Sequence, residues 1–117
     1  MTEINQDKRY KYIFDEILTL TDDGFVVVDN HDVITDINEQ YCQYLKTTRE
    51  YAIGRSIAEI IPNTKMIDIV NYAYREEGAI LRLSEKSDDD SDRIFLVNRS
   101  AVYDENHNVI AGVAQVK

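Results

Sequence analysis

The chain has 117 residues, 44% of them hydrophobic, with one proline and four glycines, which is the composition of a single folded domain and not of a disordered segment. Twenty-two acidic against thirteen basic residues leave a net charge of −9, which repels nucleic-acid phosphate and anionic lipid, so direct nucleic-acid and membrane partners are not expected. Apolar runs such as Val26, Val27 and Val28 are too short to cross a bilayer, residues 1–12 lack the apolar core of a secretion signal, and Cys42 has no second cysteine to pair with; together these predict a cytoplasmic protein.

Along the chain, Tyr10, Ile13, Phe14 and Ile17 recur at the spacing of one helix face. They predict a helix over residues 6–20 that stops before Asp22-Asp23-Gly24. Residues 25–29 and 33–37 flank Asn30-His31-Asp32, a hairpin signal. Asn38 has N-cap chemistry for a short helix over 39–45. Thr47-Thr48-Arg49-Glu50 and Ser56-Ile57-Ala58-Glu59 both fit the capping box, so two brief helices separated by Gly54 should follow. After Pro62-Asn63-Thr64, the residues Met66, Ile69, Val70 and Ala73 share a face of a longer helix, with Gly78 as its C′ residue. The last third reads as strands over 79–83, 94–103 and 109–116, and the turn at 104–108 repeats the chemistry of the first hairpin. The expected class is α+β, on a five-stranded antiparallel sheet, in one domain with no internal linker.

The strand pair at 25–37, Asn38 at the head of the first core helix, and the run from Leu45 through Arg49-Glu50 to Ile53-Gly54-Arg55 resemble the central signature of the PAS domain family. Val102-Tyr103-Asp104 leading into Val109-Ile110-Ala111-Gly112-Val113 resembles its last two strands. The likeness covers residues 21–117. Ile61-Pro62-Asn63-Thr64-Lys65 and Val97-Asn98-Arg99 look most like the N-terminal sensory PAS modules of bacterial enhancer-binding transcription activators. Lys46-Thr47 departs from the pattern, since many members carry a glycine there. The resemblance implies strand order 2-1-5-4-3, short helices over one face and a pocket between them. It divides the chain into an N-terminal dimerisation or capping helix at 1–20 and a sensory domain at 21–117. It further implies a non-enzymatic module that senses a small organic ligand and relays a signal to an effector, an ATPase or DNA-binding domain outside these residues. A ligand-free dimerisation module and the sensor of a histidine kinase are the alternatives.

Alternation along the fourth strand puts Phe95, Val97, Arg99 and Ala101 on one face, with Asn98 on the other. By the resemblance that face lines the pocket, together with Val26, Val28, Ile110, Gly112 and Ala114 on neighbouring strands. A guanidinium in such a cup can hold a carboxylate bidentately, and the alternative is an exposed Arg99 or one paired with an acid. A ligand-free interior would be filled by Phe25, Phe95 and Tyr72. The stripe of Tyr10, Ile13, Phe14 and Ile17 packs on its own domain or on a second copy, as in many PAS modules. Both hold if Tyr10 and Ile13 face a partner while Ile17 and Leu20 face the sheet.

Flavin-adduct chemistry is disfavoured, because Ser56-Ile57-Ala58 stands where flavin sensors of this family carry a cysteine beside an asparagine. Haem is disfavoured because residues 65–77 hold no histidine. His31 and His107 fall in turns and read as solvated, and Cys42 reads as buried and inert. Asp88, Asp90 and Asp92 alternate as in a calcium loop, but Arg93 and Arg99 occupy the positions that need glycine and glutamate, so no metal site is expected. With no nucleophile–base pair or phosphate-binding loop, no catalytic residue is assigned.

Overall fold

The computed structural model describes residues 5–83 and 93–117, and the calcium-like reading of Asp88, Asp90 and Asp92 lies outside them. Strands β1 (Gly24–Asp29), β2 (Ile34–Ile37), β3 (Arg75–Leu83), β4 (Arg93–Tyr103) and β5 (Val109–Val116) form one antiparallel sheet in the order β2-β1-β5-β4-β3, as expected. Helix α1 (Gln6–Leu20) precedes the sheet, and α2 (Glu39–Leu45), α3 (Arg49–Ala52), α4 (Ile57–Ile60) and α5 (Met66–Tyr72) lie between β2 and β3 in the chain.

Period-two burial sets the sheet's inner face. Val26 and Val28 on β1, Val97 and Ala101 on β4, and Ala114 and Val116 on β5 are buried, and the intervening residues point away. The helices roof this face with Tyr41, Cys42, Ala52, Ile57, Met66, Ile69 and Val70, so the core sits between sheet and helices. Tyr72 is 75% exposed and Phe25 lies on the opposite face of β1, so neither fills the interior as expected. Tyr41 and Met66 take that place, because α2 and α5 turn those side chains inward.

Three local expectations are corrected. Helix α5 ends at Tyr72, with Ala73 in the left-handed region (φ 54°), instead of continuing to Gly78. Gly78 (φ 66°) lies in β3, where the register shifts between Glu76 and Ala79. Arg75 and Glu76 find ladder partners in Ser100 and Arg99, and that pairing overrides the helical period. The N-cap of α3 is Thr48 and not Thr47: its hydroxyl accepts from the Tyr51 N–H at 3.2 Å. Ser56 caps α4 as expected, but Glu59 turns to Arg55 (3.4 Å). Lys46, at the departure from the family pattern, takes the left-handed conformation (φ 55°) that a glycine adopts without strain.

The two hairpin turns are built alike. Asp29 Oδ1 accepts from the His31 and Val33 N–H groups at 2.8 and 3.1 Å. Asp104 Oδ1 accepts from those of Asn106 and Asn108 at 2.8 and 2.9 Å. These bonds, from His31 above all for Asp29 and from Asn108 for Asp104, hold both carboxyls below the ordinary 3.8. A folded-state value below the unfolded one contributes stability above the ordinary value, and that contribution is lost as pH falls through the lowered one. Urea unfolding between pH 6 and 2.5 should therefore show stability dropping below about pH 4. Asp29→Asn with Asp104→Asn should flatten that drop, because an amide oxygen accepts the same bonds without titrating. An acid limb unchanged by both substitutions would place its origin elsewhere.

Candidate functional site

Arg99 is the one charged residue found buried among the described residues, at 4% exposure on the roofed face of β4. Its Nη1 donates to Glu76 Oε1 at 2.7 Å, and the Glu76 side chain is 30% exposed at the β3 edge. Arg99 and Glu76 are direct cross-strand partners, so the pair stands beside the shift in register. Burial pushes the Tyr41 hydroxyl above its ordinary value, while the Arg99 charge acts in the opposite sense.

The other predicted pocket residues divide. Val26, Val28, Val97 and Ala114 are at most 1% exposed, and Ala114 is the cross-strand partner of Arg99. Phe95 is half-buried, its ring centroid 4.8 Å from that of Tyr44 on α2. Gly112 is buried directly beneath α5. Ile110 is corrected: it is 49% exposed, near the turn end of β5. Because Val26, Val28, Ile37 and Val116 have no accessible surface, a water-sized sphere cannot rest against them, and the cup is filled there by protein.

Gly112 lies tight against the side chains of α5. A Cβ built there would stand 2.8 Å from Val70 Cγ2 and 3.0 Å from Met66 Cε. Met66 can swing away, but the branched Val70 cannot. Gly112→Ala should cost about 1–3 kcal/mol, and adding Val70→Ala should recover part of it, as a non-additive cycle in urea unfolding.

Sequence reasoning foresaw Asn38 only as an N-cap. It is a buried hub. Its Oδ1 accepts from the Tyr41 N–H (3.1 Å) and the Phe25 N–H (2.9 Å), and its Nδ2 donates to the Leu18 and Asp23 carbonyls (3.0 and 2.9 Å). One amide thereby ties α1, β1 and α2 together. That clamp turns Leu18 inward, which corrects the expected orientation of α1. Ile17 and Leu20 are 56% and 74% exposed, as are Tyr10 and Ile13 at 64% and 41%, while Phe14 is half-buried. Lys11 fixes the helix further, reaching Asp15 and Asp36 at 3.1 Å each.

Between α1 and α2 runs an open cleft of about 590 Å³, lined by Asp15, Leu18, Gln40, Gln43 and Arg49 among others. Nothing in the sequence signalled it, since its walls come from elements far apart in the chain. Burial, then Glu39, pushes the Cys42 thiol up to about 11, which keeps it protonated and unreactive at neutral pH. His31 and His107 are exposed turn residues. Among the described residues no cluster of side chains has metal-binding geometry, and no helix is long and apolar enough to cross a membrane.

An antiparallel sheet roofed on one face by short helices, with an amphipathic helix clamped outside it, defines a class of α+β sensory domain. Residues 12–116 match the family model of the PAS fold, and the chain belongs to the PAS family. No curated protein matches the chain. Among solved structures, it is similar to the E. coli DhaR(N)–DhaL complex at 13% identity and TM-score 0.72, covering 95% of this chain. The chain spans only 36% of that matched chain. It is also similar to a PAS domain from Colwellia psychrerythraea (20% identity, TM-score 0.64, 97% and 96% of the two chains covered). A sensory-box histidine kinase from Vibrio cholerae matches at 15% identity and TM-score 0.55, with 96% and 93% covered. At these identities the likeness is one of fold.

Proposed function

We propose that this PAS sensory domain binds a small organic carboxylate at Arg99, the ligand displacing Glu76, and passes the change to an effector outside these residues. The observation that carries the reading is a guanidinium 4% exposed on an apolar wall, held by one carboxylate that is itself 30% exposed. Arginine keeps its charge at any working pH, so it always needs a counter-ion. An incoming acid restores that counter-ion while Glu76 moves outward to water. The exposed stripe of Tyr10, Ile13 and Ile17, with Phe14 at its inner margin, pairs with a second copy. The buried Cys42 thiol and the net acidic charge fit a cytoplasmic regulator, and the likeness to DhaR(N) fits an N-terminal module of a transcriptional regulator with an ATPase or DNA-binding partner domain. The likeness to the Vibrio cholerae kinase favours a kinase sensor as the alternative.

A second reading has its own observation. The packing of α5 against Gly112 leaves little room, which favours a ligand-free dimerisation module. Thermal unfolding with a panel of mono- and dicarboxylic acids and their alcohol analogues separates the two. An acid at one hundred times its Kd should add about 2.7 kcal/mol, and this gain should vanish in Arg99→Met. If no acid shifts unfolding while the protein sediments as a dimer, the ligand-free reading stands.

A further inference from the structure

On the face of the sheet opposite the roof, three side chains form a continuous hydrogen-bonded row. The Gly78 N–H donates to Asn98 Oδ1 (2.9 Å), Asn98 Nδ2 to Gln115 Oε1 (3.2 Å), and Gln115 Nε2 to Asp23 Oδ2 (2.7 Å). The row begins two residues from Glu76, where the β3 register shifts, and ends in the bend joining α1 to β1. Both ends dictate its direction. A backbone N–H only donates and a carboxylate only accepts, so the Asn98 and Gln115 amides have a single orientation that satisfies both. A row polarised in one sense and terminated on a negative charge strengthens cooperatively. Asn98 and Gln115 are direct partners across β4 and β5 and half-buried, which holds them in register.

We infer that this row couples the Arg99–Glu76 pair to the α1–β1 bend: release of Glu76 loosens Gly78, and the Asn98–Gln115–Asp23 row carries the loosening to the root of α1. Gly78 at φ 66° is the element able to yield, because glycine leaves the left-handed region at little cost. The Asp23 backbone carbonyl is held on the other side by Asn38, so the bend is gripped from both faces and losing one grip shifts the balance at α1. The physiological trigger rests on the proposal that a ligand displaces Glu76. The coupling does not, so its test needs no ligand.

Amide hydrogen exchange on the whole chain supplies that test. Arg99→Met frees Glu76 without stranding a buried charge, and it should raise exchange at Gly78 and at residues 21–24 about five-fold or more. Gln115→Met cuts the row in the middle. In that background Arg99→Met should still speed exchange at Gly78 yet change residues 21–24 less than two-fold. Gln115→Glu opposes the Asp23 carboxylate, whereas Gln115→Glu with Asp23→Asn restores a donor and should return the bend to within two-fold of wild type. Unchanged Ile57 and Ile69 amide protection reports an intact core, and Gln115→Leu, which also leaves the Gly78–Asn98 bond in place, replaces Gln115→Met as the cut should that variant lose it. Equal acceleration of residues 21–24 by Arg99→Met with and without the row would overturn the coupling, and so would no acceleration at all. Failure of the carboxylate panel with a coupled bend would instead remove only the ligand.

Discussion

Asn38→Ala is expected to destabilise the domain by about 3–4 kcal/mol: about 1 for the lost cap and the rest for the Phe25 N–H and two carbonyls left short of partners. For a domain of this size that lowers Tm by roughly 10–15 °C. The cost is large because Asn38 is 4% exposed and all four of its hydrogen-bonding positions are used. Asn38→Asp separates the two halves of the hub. It keeps both acceptor bonds and loses both donor bonds, while setting a charge against the Leu18 and Asp23 carbonyls. It should therefore spare the head of α2 and loosen α1, seen as faster amide exchange in α1 than in α2. A cost under about 1 kcal/mol for Asn38→Ala would mean that water replaces the hub without loss.

The second large effect is an asymmetry. Glu76→Gln should cost about 2–4 kcal/mol, since it leaves the Arg99 guanidinium buried without a counter-charge. The lower end applies because water reaches the Glu76 side chain, 30% of which is exposed. Arg99→Met should fall within about 1 kcal/mol of wild type, because an apolar chain of similar length suits the surrounding Val97, Ala101 and Ala114 and removes the desolvation penalty. Chemical denaturation of both single variants and the double variant measures the pair directly. Should Arg99→Met prove the costlier of the two, the pair is a structural brace and not a charge held in waiting for a ligand.

What could be read from the residues was what local chemistry dictates. The span of α1, the caps at Asn38 and Ser56, and the paired turns at Asp29 and Asp104 rest on contacts within a few positions in the chain. Strand order came with the family likeness. Misreadings occurred where a distant partner decided. The helical period of Met66, Ile69, Val70 and Ala73 projected α5 past its end, because nothing local announces that β4 claims Arg75 and Glu76. The stripe on α1 was legible, but its rotation was not, since the Asn38 bond to the Leu18 carbonyl spans twenty positions.

Arg99 shows the same division within a single residue. Alternation put it on one face of β4 with Phe95, Val97 and Ala101, and the family likeness made that face the inner one, while its burial and its pairing with Glu76 emerged only when β3 was laid alongside. The row from Gly78 to Asp23 was invisible in the chain order, since its last bond joins residues 92 positions apart. By itself the sequence determined a PAS domain's elements and the inward parity of its strands, because backbone periods and caps act over a turn or two. Only the tertiary structure decided which charges meet, which face of α1 stays bare and how full the cup is, because those depend on side chains brought together by the sheet.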